Sequence, residues 1–486
     1  MTESPAAGAT NATATSPDVP PVIADSGPVQ LRVADRPGVV SPAVSALPGV
    51  GDPGPPVRAL SFWAGAMATM LSAIVLLIVA YMVRHYAFAM NRLFGRQRLP
   101  YIDIDVADWP PVTVLIPAHN EERVISDCIG AVLEVDYPTE RLLIVPVIDR
   151  STDRTREIVD EIAAHYPGQV VPFYRDSGKP GKAAALKEVS AFLATEVVLV
   201  FDADYLPGRG LVKQLVTPFF DPEVGAVMGR VVPFNTGTNL LTRLLDMERA
   251  GGYQVDQQAR MNLDLVPQFG GTVGGVRVSA LNAVGGWDED SLAEDTDITY
   301  RLLIGGWKTV YQNRSECYEE VPESWPVRLS QIKRWAKGHD QACVTHLRAV
   351  LASTLLSPAQ KIDGVLLLGV FLMSPLLVVA WALAIALYFL GVAGPLGAAI
   401  SLIAMVSYCS IGNFAAFFEI AAACRLDGSY RRIRLMPLNF FGFLVSMIGV
   451  TRSTVSLLLD VVLRRDLYWN KTHRYRSWSG AGGRRE

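Results

Sequence analysis

Between Val112 and Asp204, short runs of β-branched and aliphatic residues alternate with amphipathic stretches at helical spacing. They are VTVLIP, Glu121 to Glu134, LLIVPVID, Asp153 to His165, VVPFY, Lys182 to Ala194 and VVLVFDAD. Strands that alternate with helices require crossover connections, so the pattern predicts an α/β unit with a mostly parallel sheet covered on both faces. Ligands of such sheets bind beyond the carboxyl ends of the strands. Polar clusters fall at three of those ends: His119 to Glu121, Asp149 to Asp153, and Asp202 to Asp204.

A different pattern flanks this unit. Leu60 to Val83 is 24 residues without a charge, enough at about 1.5 Å per residue to cross a hydrocarbon core of roughly 30 Å. Two further apolar runs, Val365 to Leu390 and Leu396 to Ala423, are joined by the uncharged GVAGP and predict a helical hairpin. A fourth stretch, Leu435 to Leu463, has Arg452 near its middle. A charge there is expensive in lipid, which predicts a bent re-entrant or interfacial pair of helices. The segment from Trp325 to Val350 mixes Arg, Lys and Trp with Leu, Ile and Val and predicts an amphipathic helix in the membrane interface.

The first 59 residues are rich in Pro, Ala, Ser and Gly and too poor in large apolar side chains to offset the entropy of ordering, so a disordered tail is expected. The run that follows is longer than the core of a signal peptide and reads as an uncleaved anchor. Arg84, Arg92, Arg96 and Arg98 follow the first apolar run, and Arg425, Arg431, Arg432 and Arg434 follow the third. Positive flanks stay cytoplasmic, which places the α/β unit there. The expected organisation is a tail over 1–59, an anchor over 60–83, a cytoplasmic domain over 100–324, an interfacial helix over 325–350, transmembrane or re-entrant helices over 364–463 and a basic tail over 464–486.

Composition narrows the function classes. A net charge of -3 over 486 residues gives no basic field for nucleic acid. The five cysteines form no C-x-x-C pair and have no His at metal-ligand spacing, against a zinc site or a disulfide framework. No G-x-G-x-x-G follows the first strand and no G-x-x-x-x-G-K-[ST] occurs, against a dinucleotide dehydrogenase or a P-loop enzyme.

The candidate chemistry is acidic. FDADY sets Asp202 and Asp204 one residue apart after a buried strand, where two carboxylates repel unless a cation joins them. Hard oxygen ligands open to phosphates suit Mg²⁺ or Mn²⁺. Asp149 ends the second strand, aimed at a nucleobase or ribose, while Asp153 reads as a helix cap. Lys182 begins a helix, where a cation opposes the helix dipole and asks for an anion such as a diphosphate, although an exposed surface lysine fits the local sequence nearly as well. Glu294, Asp295 and Asp297 crowd another helix start, after the Gly-rich FGGTVGG that would let a long substrate approach the backbone. Helix capping explains that acidic turn equally; as chemistry, Asp295 is a candidate general base. In QIKRW, Arg334 offers a fork of donors to a diphosphate and Trp335 a stacking face to a sugar.

In this order and spacing, Asp149, FDADY, AEDTD and QIKRW resemble the D, DxD, (T)ED and QxxRW pattern of processive family 2 glycosyltransferases, the cellulose, chitin and hyaluronan synthases. The resemblance runs from about Val112 to Tyr475 and is nearest to the cellulose synthase-like enzymes making β-mannan or β-glucan, from STDRT, KAAALKE, FDADYLP, NLLTR, GGWDED, AEDTDI and EEVPESW. It implies a GT-A type nucleotide-sugar-binding domain and an α-helical transmembrane region in a cell membrane. The enzyme would be an inverting, metal-dependent hexosyltransferase that builds a β-linked polysaccharide from a nucleotide-sugar donor, UDP-glucose first. It also implies nucleotide contacts from Asp149, Lys182 and Asp202, a metal on Asp204, the base Asp295, and Gln331, Arg334 and Trp335 at the diphosphate and acceptor. Trp469, Lys471 and Thr472 are similar in position to a gating loop, although the F-x-V-T-x-K form is absent. Arg150 stands where many relatives carry a second Asp, and Ala293 where they carry Thr. Two other readings remain at this point: transfer of a single sugar to a lipid phosphate carrier, and a non-catalytic nucleotide-sensing subunit.

Overall fold

The computed structural model describes residues 55–98, 108–390 and 415–463. The gating-like residues Trp469, Lys471 and Thr472, the connector GVAGP and most of the tail over 1–59 lie outside the described residues.

The predicted strand and helix alternation forms as β1 (Val112–Ala118), α2 (Ile125–Leu133), β2 (Leu142–Asp149), α3 (Thr155–His165), β3 (Phe173–Arg175), α4 (Lys182–Ser190) and β4 (Val197–Val200), after the long helix α1 (Pro55–Phe94). Strand period two decides which face each side chain joins. Val112, Val114 and Ile116 pack on one face with Ile125, Ile129 and Val132 of α2 and Val159 of α3. Leu115 packs on the other, with Val147 of β2 and Ala185, Leu186 and Val189 of α4. A sheet buried on both faces needs near-continuous apolar strands, and these runs supply them.

The sheet then continues with β5 (Leu206–Pro207), β6 (Val224–Pro233), β7 (Gly274–Arg277) and β8 (Lys308–Glu319), in the order β3-β2-β1-β4-β7-β6-β8-β5. The pairs β1/β2, β1/β4, β2/β3 and β6/β8 are parallel, while β7 runs antiparallel to β4 and β6, as β5 does to β8. Because β2 and β4 flank β1 on opposite sides, the chain reverses its direction of sheet growth there, which opens a crevice at the carboxyl ends of these strands. The Gly-rich run divides its work. A Cβ at Gly274 would meet Val227 O at 2.3 Å and one at Gly275 would meet Leu199 Cδ2 at 2.5 Å, so these two glycines serve close strand packing rather than substrate approach.

Between β6 and β7 come α6 (Leu240–Ala250), a π-helical turn (Gly251–Gln257) and α7 (Gln258–Asn262). After α9 (Glu294–Ile304) and β8 the chain is helical: α10 (Trp325–Ala352), α11 (Pro358–Leu368), α12 (Met373–Phe389), a helix over 415–426 and α14 (Met436–Val462), where α5 (Leu211–Val216), α8 (Val278–Ala283) and the 415–426 helix as α13 complete the numbering.

The structure adds detail to three of these helices. The run Val365 to Leu390 is not one straight helix: α11 and α12 meet at 76°. Tyr81 Oη of α1 donates to Leu366 O at 2.5 Å, claiming a carbonyl of the last turn, and Gly369 leaves room for that hydroxyl. Residues 436–462 form the single helix α14 rather than a bent pair, and three of its polar residues, all past the exposed Arg452, bond to α10. Thr454 Oγ1 donates to Asp340 Oδ2 at 2.7 Å, Ser453 Oγ donates to Lys333 O at 2.8 Å, and Asp460 Oδ2 accepts from Lys337 Nζ at 2.8 Å. Helix α10, whose apolar side is expected in the membrane interface, packs against α9, α11 and α14. Among the described residues, the helical stretches Ser61–Phe94 and Tyr430–Asp460 are long and apolar enough to cross a membrane, with mean hydropathies of 2.4 and 1.7.

Candidate active site

Asp202 follows β4 directly and its backbone N–H donates to Thr272 Oγ1 at 2.9 Å, which pins the start of FDADY to the Gly-rich segment. Lys182, the first residue of α4, donates from Nζ to Asp202 Oδ1 and to Gly271 O, both at 2.7 Å, and lies 3.4 Å from Glu294 Oε1. The anion that the helix start asks for is thus supplied by two carboxylates. Burial alone would lower the Lys182 pKa, but Asp202, Glu294 and Asp295 hold it above the usual lysine range. Asp204 is buried two residues on.

Glu294 and Asp295 open α9, as the acidic first turn predicted. Gly271, at φ +72, lies against them: a Cβ there would sit 2.9 Å from Asp295 Cβ and 3.3 Å from Glu294 Oε1. Burial pushes the Asp295 carboxyl above the usual carboxylate range, opposed by the Thr296 backbone N–H, which donates to Oδ1 at 2.6 Å, and by Lys182. Burial likewise raises Glu294 against the pull of Lys182. Asp297 is held differently. Its Oδ2 accepts from Arg301 Nε at 2.8 Å and its Oδ1 pairs with His346 Nε2 at 2.8 Å; burial works against ionisation, yet these bonds keep its pKa below the usual value.

Asp149 is buried at the end of β2 and heavily engaged. Its Oδ1 accepts from Arg150 Nε at 3.0 Å and Arg175 Nη1 at 2.9 Å, and its Oδ2 from Arg150 Nη2 at 3.1 Å and the Gly181 N–H at 3.2 Å. The carboxylate expected to face a nucleobase is therefore turned onto its neighbour Arg150, the residue that departs from the family pattern, itself at φ +49. Asp153, expected to cap, lies one residue before the N-cap Arg154; it accepts the Thr155 N–H at 3.1 Å and the Glu122 N–H at 3.2 Å.

QIKRW sits on α10. Gln331 Oε1 accepts from Arg328 Nη1 at 2.8 Å, and Arg334 is half-buried. The half-buried Trp335 has the Arg249 and Arg328 guanidinium carbons 5.0 Å and 5.3 Å from its ring. Both cations are fixed. Arg249 Nε donates to Glu319 Oε1 at 2.5 Å and Arg328 pairs with Glu248. Tyr205, next to Asp204, donates to Glu319 Oε2 at 2.8 Å, so one carboxylate links FDADY to the arginine under Trp335. Arg249, Arg328 and Gln331 also line a shallow depression with Leu245, Glu248 and Val321. Sequence reasoning gave no role to Arg249, Arg328 or Glu319: the two arginines belong to no spacing pattern, and Glu319 opens EEVPESW without being singled out.

The acidic crevice suits a hard divalent cation. Among the described residues no three His, Cys, Asp or Glu side chains converge as a metal-binding group, so an ion would take one or two carboxylates from FDADY and the rest of its shell from diphosphate and water, a mode common for Mg²⁺. The residues present fit that mode: all are oxygen donors, and their negative charge exceeds what Lys182 neutralises.

Comparison with known proteins places this geometry. Residues 110–338 match the family described as "Glycosyltransferase like family 2". The Bacillus subtilis protein named "Probable glycosyltransferase YdaM" is 33% identical over 289 residues, 58% of this chain and 69% of its own length. "Glucomannan 4-beta-mannosyltransferase 7" of Arabidopsis thaliana is 32% identical over 246 residues, 49% of this chain and 44% of its own. "Beta-monoglucosyldiacylglycerol synthase" of a Synechocystis strain is 32% identical over 246 residues, 51% of each. The chain thus spans about half the length of the last two. The structure described as "Mannosyltransferase PcManGT from Pyrobaculum calidifontis in complex with GDP-Man and Mn2+" superposes with a TM-score of 0.54 at 23% identity, covering 74% of this chain and 98% of that one, a likeness of fold. The sheet order, the acidic crevice and these matches make the domain GT-A-like, and the chain belongs to glycosyltransferase family 2.

Proposed function

We propose that this protein is a membrane-embedded, inverting hexosyltransferase that extends a β-linked polysaccharide from a nucleoside-diphosphate sugar, with its crevice on the cytoplasmic side. The observation that carries the reading is the grouping of Lys182 with Asp202, Glu294 and Asp295 at the crevice floor. It sets a cation for the diphosphate beside a carboxyl of raised pKa.

Lys182 and Arg334 bind and orient the donor diphosphate, and Asp149, released from Arg150, holds the nucleoside. Asp204, with Asp202 beside it, would hold Mn²⁺ or Mg²⁺, which when bound supplies charge neutralisation on the leaving diphosphate. The acceptor hydroxyl oxygen forms a bond to the anomeric carbon as the bond from that carbon to the diphosphate oxygen breaks. The diphosphate leaves with the electron pair, and the hydroxyl proton passes to Asp295. A base of raised pKa is better matched to that proton than an ordinary carboxylate. Trp335 offers a face to the sugar that accepts.

UDP-glucose is the donor that the sequence resemblance favours, while the plant relative is named for mannosyl transfer and the structural neighbour for GDP-Man. The second reading, transfer of one sugar to a lipid, draws support from the cyanobacterial relative named for a glucosyldiacylglycerol. The deciding experiment supplies the purified chain in lipid with labelled UDP-glucose and labelled GDP-mannose and sizes the product. A polymer from either supports the proposal; a single labelled sugar on extractable lipid supports the second reading.

A further inference from the structure

We propose that His339, on the helix that carries QIKRW, is a positioning residue for the base: with Gln268 it fills both lone pairs of the Thr296 hydroxyl and so commits that hydroxyl's proton to Asp295. This rests on the reading of Asp295 as the base.

The Thr296 hydroxyl is fully buried and has three neighbours. Gln268 Nε2 lies 3.0 Å away, His339 Nε2 3.3 Å and Asp295 Oδ1 3.4 Å. A hydroxyl has one proton and two acceptor sites, an amide nitrogen can only donate, and a carboxylate can only accept. With the imidazole proton on Nε2, all three contacts are satisfied at once. With it on Nδ1, the hydroxyl would have to choose between His339 and Asp295. An N–H would also be buried without an acceptor, because Nδ1 is buried and has no partner. The ring packs 4.9 Å from that of Phe371, and burial, with Arg260 nearby, lowers its pKa to about 4, so it is neutral in the working range.

Each end of this arrangement is itself fixed. Gln268 exchanges two bonds with Gln257 of the π-helical turn: its N–H donates to Gln257 Oε1 at 3.0 Å and its carbonyl accepts from Gln257 Nε2 at 2.9 Å. A π turn re-aims side chains by inserting a residue, which is why such turns recur at functional sites. On the other side, α10 grips the segment that leads into Asp295. Gly338 allows the contact: a Cβ there would fall 2.6 Å from Ala293 Cβ. Gln341 accepts the Leu292 N–H at 2.8 Å and donates to Asp290 O at 3.1 Å. An adjacent face of the same turns of α10 is bonded to α14 through Asp340 and Lys337. One helix therefore carries Gln331, Arg334, Trp335 and the group that steadies the base, so acceptor site and base keep register as the chain advances.

The test uses the full chain in lipid, with UDP and GDP binding in Mn²⁺ read by calorimetry and label incorporation from UDP-glucose or GDP-mannose, whichever is turned over. His339→Ala should lower kcat on the order of tenfold, the size of one buried hydrogen bond, with nucleotide affinity unchanged. His339→Gln, whose amide reaches the same hydroxyl as a donor, should recover most of that loss. Thr296→Val should fall like His339→Ala while Thr296→Ser stays near normal, and the double variant His339→Ala/Thr296→Val should lose little more than either alone. Normal kcat in His339→Ala, no recovery in His339→Gln, or additive losses would each overturn the proposal. If His339→Ala does not fold, the His339→Gln and Thr296 variants still decide. Asp295→Asn is assayed beside them: turnover in that variant would defeat the base itself, whereas a dead Asp295→Asn with a normal His339→Ala defeats only the role given to His339.

Discussion

Lys182 Nζ donates to Asp202 Oδ1 across 2.7 Å, so the first residue of α4 is the counter-ion of the first carboxylate of FDADY. The pair brings two distant parts of the chain to one point in the crevice, and a diphosphate arriving with its cation has to share both partners. Replacing Lys182 by Met is expected to weaken UDP and GDP binding on the order of tenfold or more, since a charge-assisted donor is lost and Asp202 and Glu294 are left to repel the ligand. Calorimetry in Mn²⁺ checks it; unchanged affinity would move the phosphate site elsewhere.

Asp204→Asn is expected to leave folding intact and to lower donor turnover at least about a hundredfold, because it removes a ligand charge from the diphosphate site. Label incorporation with Mn²⁺, and by the unaltered chain with chelator, is the measurement. Near-normal activity in chelator would sink the metal assignment.

Asp295 and Asp297 stand two residues apart but are committed differently, which makes them the sharpest comparison. Asp297 is occupied on both oxygens by Arg301 and His346. Asp295→Asn should bind donor normally and make no product, a loss on the order of a hundred- to ten-thousandfold. Asp297→Asn should keep measurable synthesis while losing thermal stability.

The pH signs follow. Burial raises the Asp295 pKa, so it protonates, and the base is lost, at a pH above the ordinary carboxylate value of about 3.9. The acid limb of kcat/KM should therefore lie above that value. Its ionisation also costs stability at neutral pH, so Asp295→Asn should melt no lower than the unaltered chain. Asp297 is the reverse case. Its folded pKa is depressed, so its contribution to stability is present above its unfolded value and is lost as pH falls through the folded one. Melting curves between neutral and acid pH, for the chain and for Asp297→Asn, read that difference.

Trp335→Ala should shorten the product more than it weakens donor binding, because it removes a stacking face while Lys182 and Asp202 remain. Product sizing beside nucleotide affinity separates the two. If affinity fell and length held, Trp335 would belong to the donor site, on the side of Arg249 and Arg328.

Gly271→Ala should abolish most turnover with only moderate loss of stability. The left-handed backbone costs a non-glycine residue about 1–3 kcal/mol, and the new Cβ would press on Asp295 and on the carboxylate of Glu294. Thermal melts and label incorporation together test it; full activity would mean that the base has more room than the geometry gives.

Much of this was legible in the chain itself. The alternation of apolar strands with amphipathic helices determined the α/β unit and its first four strands, because side-chain period is a local property. The acidic and aromatic motifs were visible for the same reason: each is a single residue or a short segment of sequence. The antiparallel β7 was not legible, since it begins with Gly274 and Gly275 at the end of FGGTVGG, which has the composition of a loop, and these two pair only where β4 and β6 offer edges that leave no room for a side chain there. The continuity of α14 was hidden too, because Arg452 looks costly in an apolar helix, while the bonds that tie the same helix to α10 through Thr454 and Asp460 depend on Asp340 and Lys337, more than a hundred residues away.

The sequence by itself determined where the acidic, basic and aromatic candidates lie, at the ends of strands and on the helices. Only the tertiary structure decided their partners: Asp149 turned onto Arg150, Asp297 closed off by His346 and Arg301, Lys182 set between Asp202 and Glu294, and His339 brought to Thr296. A hydrogen bond depends on positions to within a few tenths of an ångström. Those positions are fixed by how helices and strands far apart in the chain pack together, which no local pattern records.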